Sequence, residues 1–497
     1  MTSSSNGGPW HFIVIVIFLL SAIAVTLAHS PRLSEPPLLF LSRHPAGLCC
    51  LVWCSLISLV AFLRRRPLPV FLLDYSCHKP DAEFRASYEL CEFFGRRNQR
   101  HSAESEAFMR AIYSKSGLGD ETYVPPFVFH SDDLGNKRRC AVQEAEDGMF
   151  GAVQHLLAKT DTDPSQIDLV ISACSMFSPA PSFSSMLVRR FGMKEGVKTF
   201  NLAGMGCSAG TVAFDLAAKV LRRRKGYGLI VVTESISLNW YFGDNRHMLV
   251  TNCIFRVGTA AALVSSDPAA RGRAKMELVR SMRTHHGADD AAYNAAIQME
   301  DEEGHVGVAL TKDLVRVAGA GLKSHITNLA PRVLPVEEML RYAYHVAKLY
   351  LGGDQKAAMA HVPDFKRAFD HMCIHAGGKA VIDAVRRLMR FEEEVVEPAR
   401  MCLHRFGNTS SSLVFYELAY FEAKRRIKKG DKVWMLAFGT GFKACSVVWR
   451  AVRDSTMDTD NPWFDCVHRY PVYPPRRANH PYNQTVSVSP LPKKVID

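Results

Sequence analysis

Two apolar runs separated by a proline-rich stretch constrain this chain more than any other feature. Residues 12–28 hold no charged side chain, and residues 47–63 repeat the pattern around Trp53. Each run approaches the ~20 apolar residues that a helix needs to cross the hydrocarbon of a bilayer. Pro31, Pro36, Pro37 and Pro45 lie between the runs, and Arg64, Arg65 and Arg66 follow the second. A cleaved secretory leader would need a basic start, yet residues 1–10 contain neither Lys nor Arg. Two buried helices of a soluble core would not be parted by such a linker or end in three arginines. The pattern predicts a pair of transmembrane helices, and the arginine triplet puts the large remainder of the chain on the cytoplasmic side. Asn408-Thr-Ser would be a glycosylation acceptor in a secretory lumen, which a cytosolic placement avoids.

With 497 residues, 47% of them apolar and 22% charged, the chain has the make-up of a large globular protein rather than a disordered one. Its formal charge of +12 suits an anionic membrane surface or a polyphosphorylated ligand such as coenzyme A, and no motif supports nucleic-acid binding. Thirteen cysteines make an odd number, and Cys49, Cys50 and Cys54 fall inside an apolar run, so reduced thiols are expected rather than a disulfide framework.

Beyond Pro67 short apolar runs alternate with longer helical ones, the mark of an α/β protein. Strands are predicted over residues 167–172, 197–202, 228–233, 259–265, 368–374, 432–437 and 444–448, and helices over 182–191, 207–222, 378–389 and 411–428. Two similar α/β halves fit this alternation, although no internal sequence repeat is visible. The expected organisation is a membrane anchor over 1–66, a first half over 67–270, a second over 271–455 and an irregular surface tail over 456–497.

Cys207 sits in Asn201-Leu-Ala-Gly-Met-Gly-Cys-Ser-Ala-Gly210, between a strand and a helix rich in small residues. Gly204 and Gly206 permit the backbone angles that a tight strand-to-helix elbow needs. Free amides and the helix dipole at such a terminus would lower the thiol pKa and receive an oxyanion. A small structural cysteine is the plainer alternative. His375 ends an apolar run beside Gly377 and Gly378, where a neutral imidazole could donate to a carbonyl or move a proton. His371 precedes it by four residues, a metal half-site if the segment were helical, but the glycines argue against a helix there. Asn408 opens a run of hydroxyls and could be only an N-cap, or its amide could donate to an enolate oxygen. Phe438-Gly-Thr-Gly-Phe442 is a second glycine turn, a plain hairpin on the simplest view.

With Cys, His and Asn in this order, the chain resembles the plant 3-ketoacyl-CoA synthase family, the condensing enzymes of microsomal very-long-chain fatty acid elongation. The likeness extends from Leu73-Asp-Tyr-Ser-Cys-His-Lys-Pro80 to Trp463. It includes Met248-Leu-Val-Thr-Asn-Cys-Ile-Phe-Arg256, Arg283-Thr-His285, Gly287-Ala-Asp-Asp290, residues 324–331, His371-Met-Cys-Ile-His-Ala-Gly-Gly378 and Leu403-His-Arg-Phe-Gly-Asn-Thr-Ser-Ser-Ser412. The resemblance implies a thiolase-like layered αβαβα fold of two similar halves, preceded by the transmembrane pair, in a homodimer of the endoplasmic reticulum membrane with its catalytic domain facing the cytosol.

The resemblance also implies a catalytic triad of Cys207, His375 and Asn408, with His285, His371 and His404 as further functional histidines; His285 is favoured over His286 because it directly follows Arg-Thr. Gly206, Ser208, Gly439, Thr440 and Gly441 become candidates for a substrate or oxyanion loop. The substrates implied are a long-chain acyl-CoA and malonyl-CoA, for wax, cutin or suberin, or seed-lipid synthesis, with no metal and no cofactor. Membrane lipid and the reductases and dehydratase of an elongase complex would be its partners. Ala203, Thr259, Thr440 and Ala444-Cys445 depart from the family pattern without removing a proposed catalytic group. Two other readings are a non-catalytic member of an elongase complex and a di-iron membrane desaturase or hydroxylase suggested by the His371-to-His375 spacing. The second lacks the further histidine clusters such enzymes need.

Overall fold

The computed structural model describes residues 67–97, 101–129, 136–350 and 362–472, together with Trp53. The chain divides into two units at Pro67 and Leu68. The apolar runs at 12–28 and 47–63 lie outside the described residues except for Trp53. Among the described residues no helix is long and apolar enough to cross a membrane.

Among the described residues thirteen strands follow one another: β1 (Phe71–His78), β2 (Arg85–Ala86), β3 (Thr122–Tyr123), β4 (Ile167–Cys174), β5 (Lys198–Ala203), β6 (Tyr227–Thr233), β7 (Thr259–Ser265), β8 (Met276–His285), β9 (Ala296–Glu300), β10 (Val306–Leu310), β11 (His371–Ile374), β12 (Lys432–Gly439) and β13 (Lys443–Ala451). The helices among them are α1 (Tyr88–Arg97), α2 (Ala103–Ser116), α3 (Lys137–Thr160), α4 (Phe183–Phe191), α5 (Ala209–Leu221), α6 (Arg246–Ile254), α7 (Asp290–Tyr293), α8 (Leu314–Val333), α9 (Val336–Tyr350), α10 (Lys379–Met389), α11 (Glu393–Phe406) and α12 (Leu413–Ala423).

Nine strands form one mixed sheet in the order β11-β12-β13-β8-β1-β7-β6-β4-β5. Its two ends repeat one plan. In the first half β4 runs parallel to β6, β6 antiparallel to β7, and the opening strand β1 pairs antiparallel with β7. In the second half β11 runs parallel to β12, β12 antiparallel to β13, and the opening strand β8 pairs antiparallel with β13. The halves join where β1 meets β8 at Phe71↔Glu277 and Leu72↔Met276. A duplication invisible as sequence similarity is therefore present as strand order, because topology depends on the hydrophobic pattern and not on residue identity.

Two helices sit between the halves. Helix α5 packs on β4 and β6 of the first half and on β8, β12 and β13 of the second, and α12 packs on β1, β11 and β12. All eleven residues of α12 are buried, including Glu417 and Glu422. Glu422 is compensated by Lys275 at 3.1 Å and by the Tyr75 hydroxyl, which donates to it at 2.8 Å. A helix apolar all round is the expected choice for an inner layer.

Several differences from the sequence expectation have local causes. The helix predicted over 207–222 opens with a single 3-10 turn at Gly206–Ser208 before α5 begins. The helix predicted over 411–428 also opens with a 3-10 turn, at Ser410–Ser412, and α12 stops at Ala423, just before Arg425 adopts a φ of +53°. The tail is not a surface segment over its first part: Trp463 is fully buried and its indole donates to the Tyr416 carbonyl at 2.9 Å. Strands β8 and β9 have no clear alternation in the sequence, since their side chains are largely exposed or half-buried, whereas β10 is short and buried over Gly307, Val308 and Ala309.

One departure from the family pattern has a visible structural counterpart. Thr259 Oγ1 lies 2.6 Å from Thr233 Oγ1, and a Cβ on Gly148, in the middle of α3, would collide with that same Thr259 hydroxyl. Glycine inside a helix normally costs about 1 kcal/mol relative to alanine, so Gly148 is explained by the Thr259 side chain opposite it. Gly148→Ala should destabilise the protein by about 1–3 kcal/mol through overpacking, whereas in a Thr259→Gly background the same change should stabilise it. Thermal denaturation of the four members of this cycle checks the coupling; additive effects would sever the two positions.

Candidate active site

Strand β5 ends in an elbow at which Gly204 and Gly206 take φ of +64° and +62°. A Cβ on Gly206 would collide with the Thr440 amide nitrogen, and one on Gly439 with Ser208 Oγ and the Met205 carbonyl. The elbow of the first half and the β12–β13 turn of the second thus interlock backbone to backbone. The Thr440 hydroxyl ties them further, donating to the Gly204 carbonyl at 3.1 Å, while Ser208 Oγ steadies the elbow itself by donating to the Met205 carbonyl at 2.9 Å.

Cys207 follows directly, half-buried, with its thiol facing a cavity of about 550 Å³. The expectation of a thiol acidified by the helix terminus is reversed here. Burial pushes its pKa up to about 12, outweighing the hydrogen bond from Ser410 that favours the thiolate. A base is needed to take its proton.

The second half supplies the opposite wall. His375 closes β11, its backbone N–H donating to the Leu436 carbonyl at 2.9 Å. The ring is 2% exposed and neither ring nitrogen has a partner. Burial lowers its pKa to about 4, which keeps the imidazole neutral at physiological pH with one N–H to donate. Asn408 is fixed by its backbone between the Ile254 carbonyl, at 3.0 Å from its N–H, and the Arg256 N–H, 2.9 Å from its carbonyl. Of the two parts considered for its side chain, the structure shows the cap. Oδ1 accepts the Ser410 N–H at 2.9 Å in the manner of a cap, and Nδ2, which reaches the Gly377 carbonyl at a long 3.3 Å, lines the cavity.

His285, at the exposed end of β8, also lines the cavity and accepts the Gly287 N–H on Nδ1 at 3.0 Å; partial burial and then Lys443 lower its pKa. His286 does not line it. Gly206, Gly439, Thr440 and Gly441 form part of the rim. Phe255, Ile297, Val308, Leu310, Leu314 and Phe438 make the wall largely apolar, as a long hydrocarbon would require.

Two expected histidines stand elsewhere. His371 opens β11 whereas His375 follows its end, so the two are separated by the length of the strand, roughly 13 Å at the usual rise. That geometry cannot serve one ion as a helical pair would. His371 instead pairs with Asp431 at 2.8 Å and rests on the Phe421 ring. His404, in α11, contacts Tyr470 through Nδ1 at 3.2 Å and fills the space beside Gly119, holding the tail rather than the cavity. Among the described residues no group of three or more His, Cys, Asp or Glu could hold a metal ion.

Two cavity residues escaped the sequence reading. Glu234, immediately after β6, and Ser410, two residues after Asn408, both line the cavity, and Ser410 Oγ lies 2.7 Å from Glu234 Oε2 and 3.5 Å from Cys207 Sγ. The only signal was a carboxylate ending the apolar run 228–233, and a hydroxyl indistinguishable from its neighbours in a serine run.

Residues 61–350 match the family described as FAE1/Type III polyketide synthase-like protein, and residues 366–451 match the C-terminal domain of 3-oxoacyl-[acyl-carrier-protein] synthase III. Over 485 residues the chain is 42% identical to 3-ketoacyl-CoA synthase 17 of Arabidopsis thaliana, covering 94% of this chain and 99% of that one. This chain belongs to the 3-ketoacyl-CoA synthase family. It is also 43% identical over 431 residues to 3-ketoacyl-CoA synthase 4 of Arabidopsis thaliana, covering 86% of this chain and 83% of the relative. To probable 3-ketoacyl-CoA synthase 20 of Oryza sativa subsp. japonica it is 45% identical over 436 residues, covering 86% and 82%. The first match spans the Cys207 elbow and runs on through β10, and the second begins just before β11 and takes in His375 and Asn408.

The interlocked turns separate two kinds of glycine in this synthase. Gly204 and Gly206 share the same backbone angle, but a Cβ on Gly204 meets nothing. Gly204→Ala should cost about 1 kcal/mol of backbone strain, and Gly206→Ala about 2–4 kcal/mol because the Thr440 backbone must also move. Denaturation of the purified full-length variants measures the difference; equal losses would show that Thr440 is not what demands glycine at Gly206.

Proposed function

We propose that this chain is the condensing enzyme of very-long-chain fatty acid elongation, joining a long-chain acyl-CoA to the two-carbon unit of malonyl-CoA. The observation that carries this reading is a single apolar cavity to which one half contributes Cys207 and the other His375 and Asn408.

In the first stage the Cys207 thiolate attacks the acyl thioester carbonyl, an acyl-sulfur bond forms on Cys207, and the coenzyme A thiolate leaves. In the second stage malonyl-CoA loses CO2, and the electron pair of the broken C–C bond moves into an enolate. The His375 N–H and the Asn408 Nδ2–H would donate to the enolate oxygen, which is the thioester oxygen of malonyl-CoA, a role supported by both residues lining the cavity. The enolate carbon attacks the acyl-Cys207 carbonyl, the Cys207 thiolate is released, and a 3-oxoacyl-CoA two carbons longer departs. Escape of CO2 makes the sequence irreversible. A neutral histidine suits this role, because it donates without protonating the nascent enolate prematurely.

The apolar runs of the first 66 residues and the arginine triplet support anchoring in the endoplasmic reticulum membrane as two transmembrane helices, with the catalytic unit cytosolic. Such an anchor would hold the cavity beside its lipid substrate. The exposed edge strand β5, with Phe200 38% exposed, supports a homodimer formed by strand pairing next to the Cys207 elbow. The layered αβαβα fold of two thiolase-like halves is supported by the repeated strand order and the enclosed α5 and α12. Reductases and a dehydratase working on the 3-oxoacyl product would be its partners in an elongase complex. A non-catalytic role in that complex remains the second reading, and the presence of Cys207, His375 and Asn408 in one cavity favours catalysis over it.

Cys207→Ala should abolish both condensation and the trapping of a radiolabelled acyl group on the protein, when full-length protein is assayed in membranes lacking other condensing enzymes. His375→Ala and Asn408→Ala should still load the acyl group but lose about 10²–10³-fold in malonyl-CoA decarboxylation, as oxyanion donors do. Normal elongation by Cys207→Ala would sink the assignment. Since His375 must be neutral and its pKa is lowered to about 4, decarboxylation by the acyl-enzyme should hold a plateau between about pH 7.5 and 5.5. A histidine of ordinary pKa would lose about tenfold per unit below about 6.5.

A further inference from the structure

We propose that the thiol proton of Cys207 is removed through the Ser410 hydroxyl by the Glu234 carboxylate, and not by His375. This deepens the reading above and rests on Cys207 being the acyl acceptor.

Ser410 holds a φ of +54°, a conformation that costs a non-glycine residue about 1 kcal/mol or more. The Asn408 side chain enforces it by accepting the Ser410 N–H at 2.9 Å. The effect is to hold Oγ between the carboxylate and the thiol, 2.7 Å from Glu234 Oε2 and 3.5 Å from Cys207 Sγ. Glu234 is 1% exposed and its two oxygens are used unequally. Oε1 accepts the Ser175 N–H at 2.9 Å, the Met176 N–H at 2.7 Å and the Cys174 thiol at 3.4 Å, while Oε2 receives only Ser410. One oxygen is saturated and immobile; the other has a lone pair available for a proton. Desolvation raises the pKa of this carboxyl, which favours its neutral form. The titratable neighbours are Cys174 from β4, Cys207 itself, and His375, which shares the cavity but has no bonded partner.

The step balances without any further reactant. The Ser410 hydroxyl donates to ionised Glu234, so its lone pair faces the Cys207 thiol. As the thiol proton passes to Oγ, the original hydroxyl proton passes to Oε2. Glutamate becomes neutral, serine is regenerated with its new O–H turned toward sulfur, and the negative charge moves to Cys207. Removing the charge from Glu234 also removes the repulsion that otherwise opposes a thiolate beside it. When condensation releases the Cys207 thiolate, the proton returns by the same path. His375 is left as a neutral donor for the enolate throughout. Ser410 touches the reacting sulfur and is catalytic; Glu234 acts through it.

The test is the rate of Cys207 alkylation by iodoacetamide in purified full-length protein, read by mass spectrometry of the peptide containing Cys207, between about pH 5.5 and 10. Ser410→Gly removes the hydroxyl while suiting the +54° backbone, and Glu234→Gln keeps the shape of the side chain but cannot take a proton. Each should slow alkylation about tenfold or more near neutrality, converging on the wild-type rate at high pH as hydroxide replaces the relay. His375→Ala should stay within about twofold of wild type in this assay, though it loses condensation. Equal slowing at every pH would mean a structural role for Glu234 and Ser410 and would overturn the proposal, as would unchanged rates in both variants or a slowing seen only in His375→Ala. Acyl loading of the wild type run alongside separates the two claims: a protein that loads acyl groups while its relay variants alkylate normally refutes the relay alone.

Discussion

At the junction of the two halves the backbone of Gly206 lies against that of Gly439 and Thr440 so closely that neither glycine has room for a Cβ. Everything chemical in the molecule is referred to this contact. It places Cys207, just beyond the end of β5, against the β12–β13 turn, and it sets the separation between Cys207 on one half and His375 and Asn408 on the other. The enclosed helices α5 and α12 reinforce it, because each touches strands of both halves and neither can shift without unpacking the inner layer. Dense interiors transmit displacement rather than absorb it, so the geometry of the cavity is a property of the whole core.

The same enclosure sets the electrostatics. Removing water raises the pKa of Cys207 and of Glu234 and lowers that of His375. The thiol and the imidazole are therefore held in their neutral forms before substrate arrives, while the raised pKa of Glu234 makes its ionised carboxylate a stronger base. The helix terminus that would acidify an exposed thiol is overruled by desolvation, the larger effect at this depth. The buried Ser410 hydroxyl lies between the Cys207 thiol and the Glu234 carboxyl group.

Much of this was legible in the sequence where function and local backbone chemistry coincide. The glycines around Cys207 announce an elbow because positive φ is a local requirement, and His375 is marked by the glycine turn that ends its strand. Asn408 stands out by its place before a hydroxyl run. Strands β4, β6 and β7 were legible as apolar runs because both of their faces are buried, whereas β1, interrupted by Asp74, was not. By contrast, His371 and His404 look as suggestive as His375 in the linear text. Only their distance from the cavity, one at the far end of β11 and the other against Tyr470, separates them. Ser410 and Glu234 were illegible for the opposite reason: a serine among serines and a glutamate after a strand acquire meaning only from what they face.

The sequence by itself determined the alternation of elements, the elbow at Cys207, the two long apolar runs of the first 66 residues and membership of the 3-ketoacyl-CoA synthase family. These follow from periodicity, glycine conformation and ordered motifs, all of which are written along the chain. Tertiary structure alone decided the duplicated strand order, which histidines share the cavity, the reversal of the Cys207 pKa and the Ser410–Glu234 contact. Each of these depends on burial or on proximity between residues as far apart as Cys207 and Ser410, and burial and proximity exist only once the chain has closed on itself.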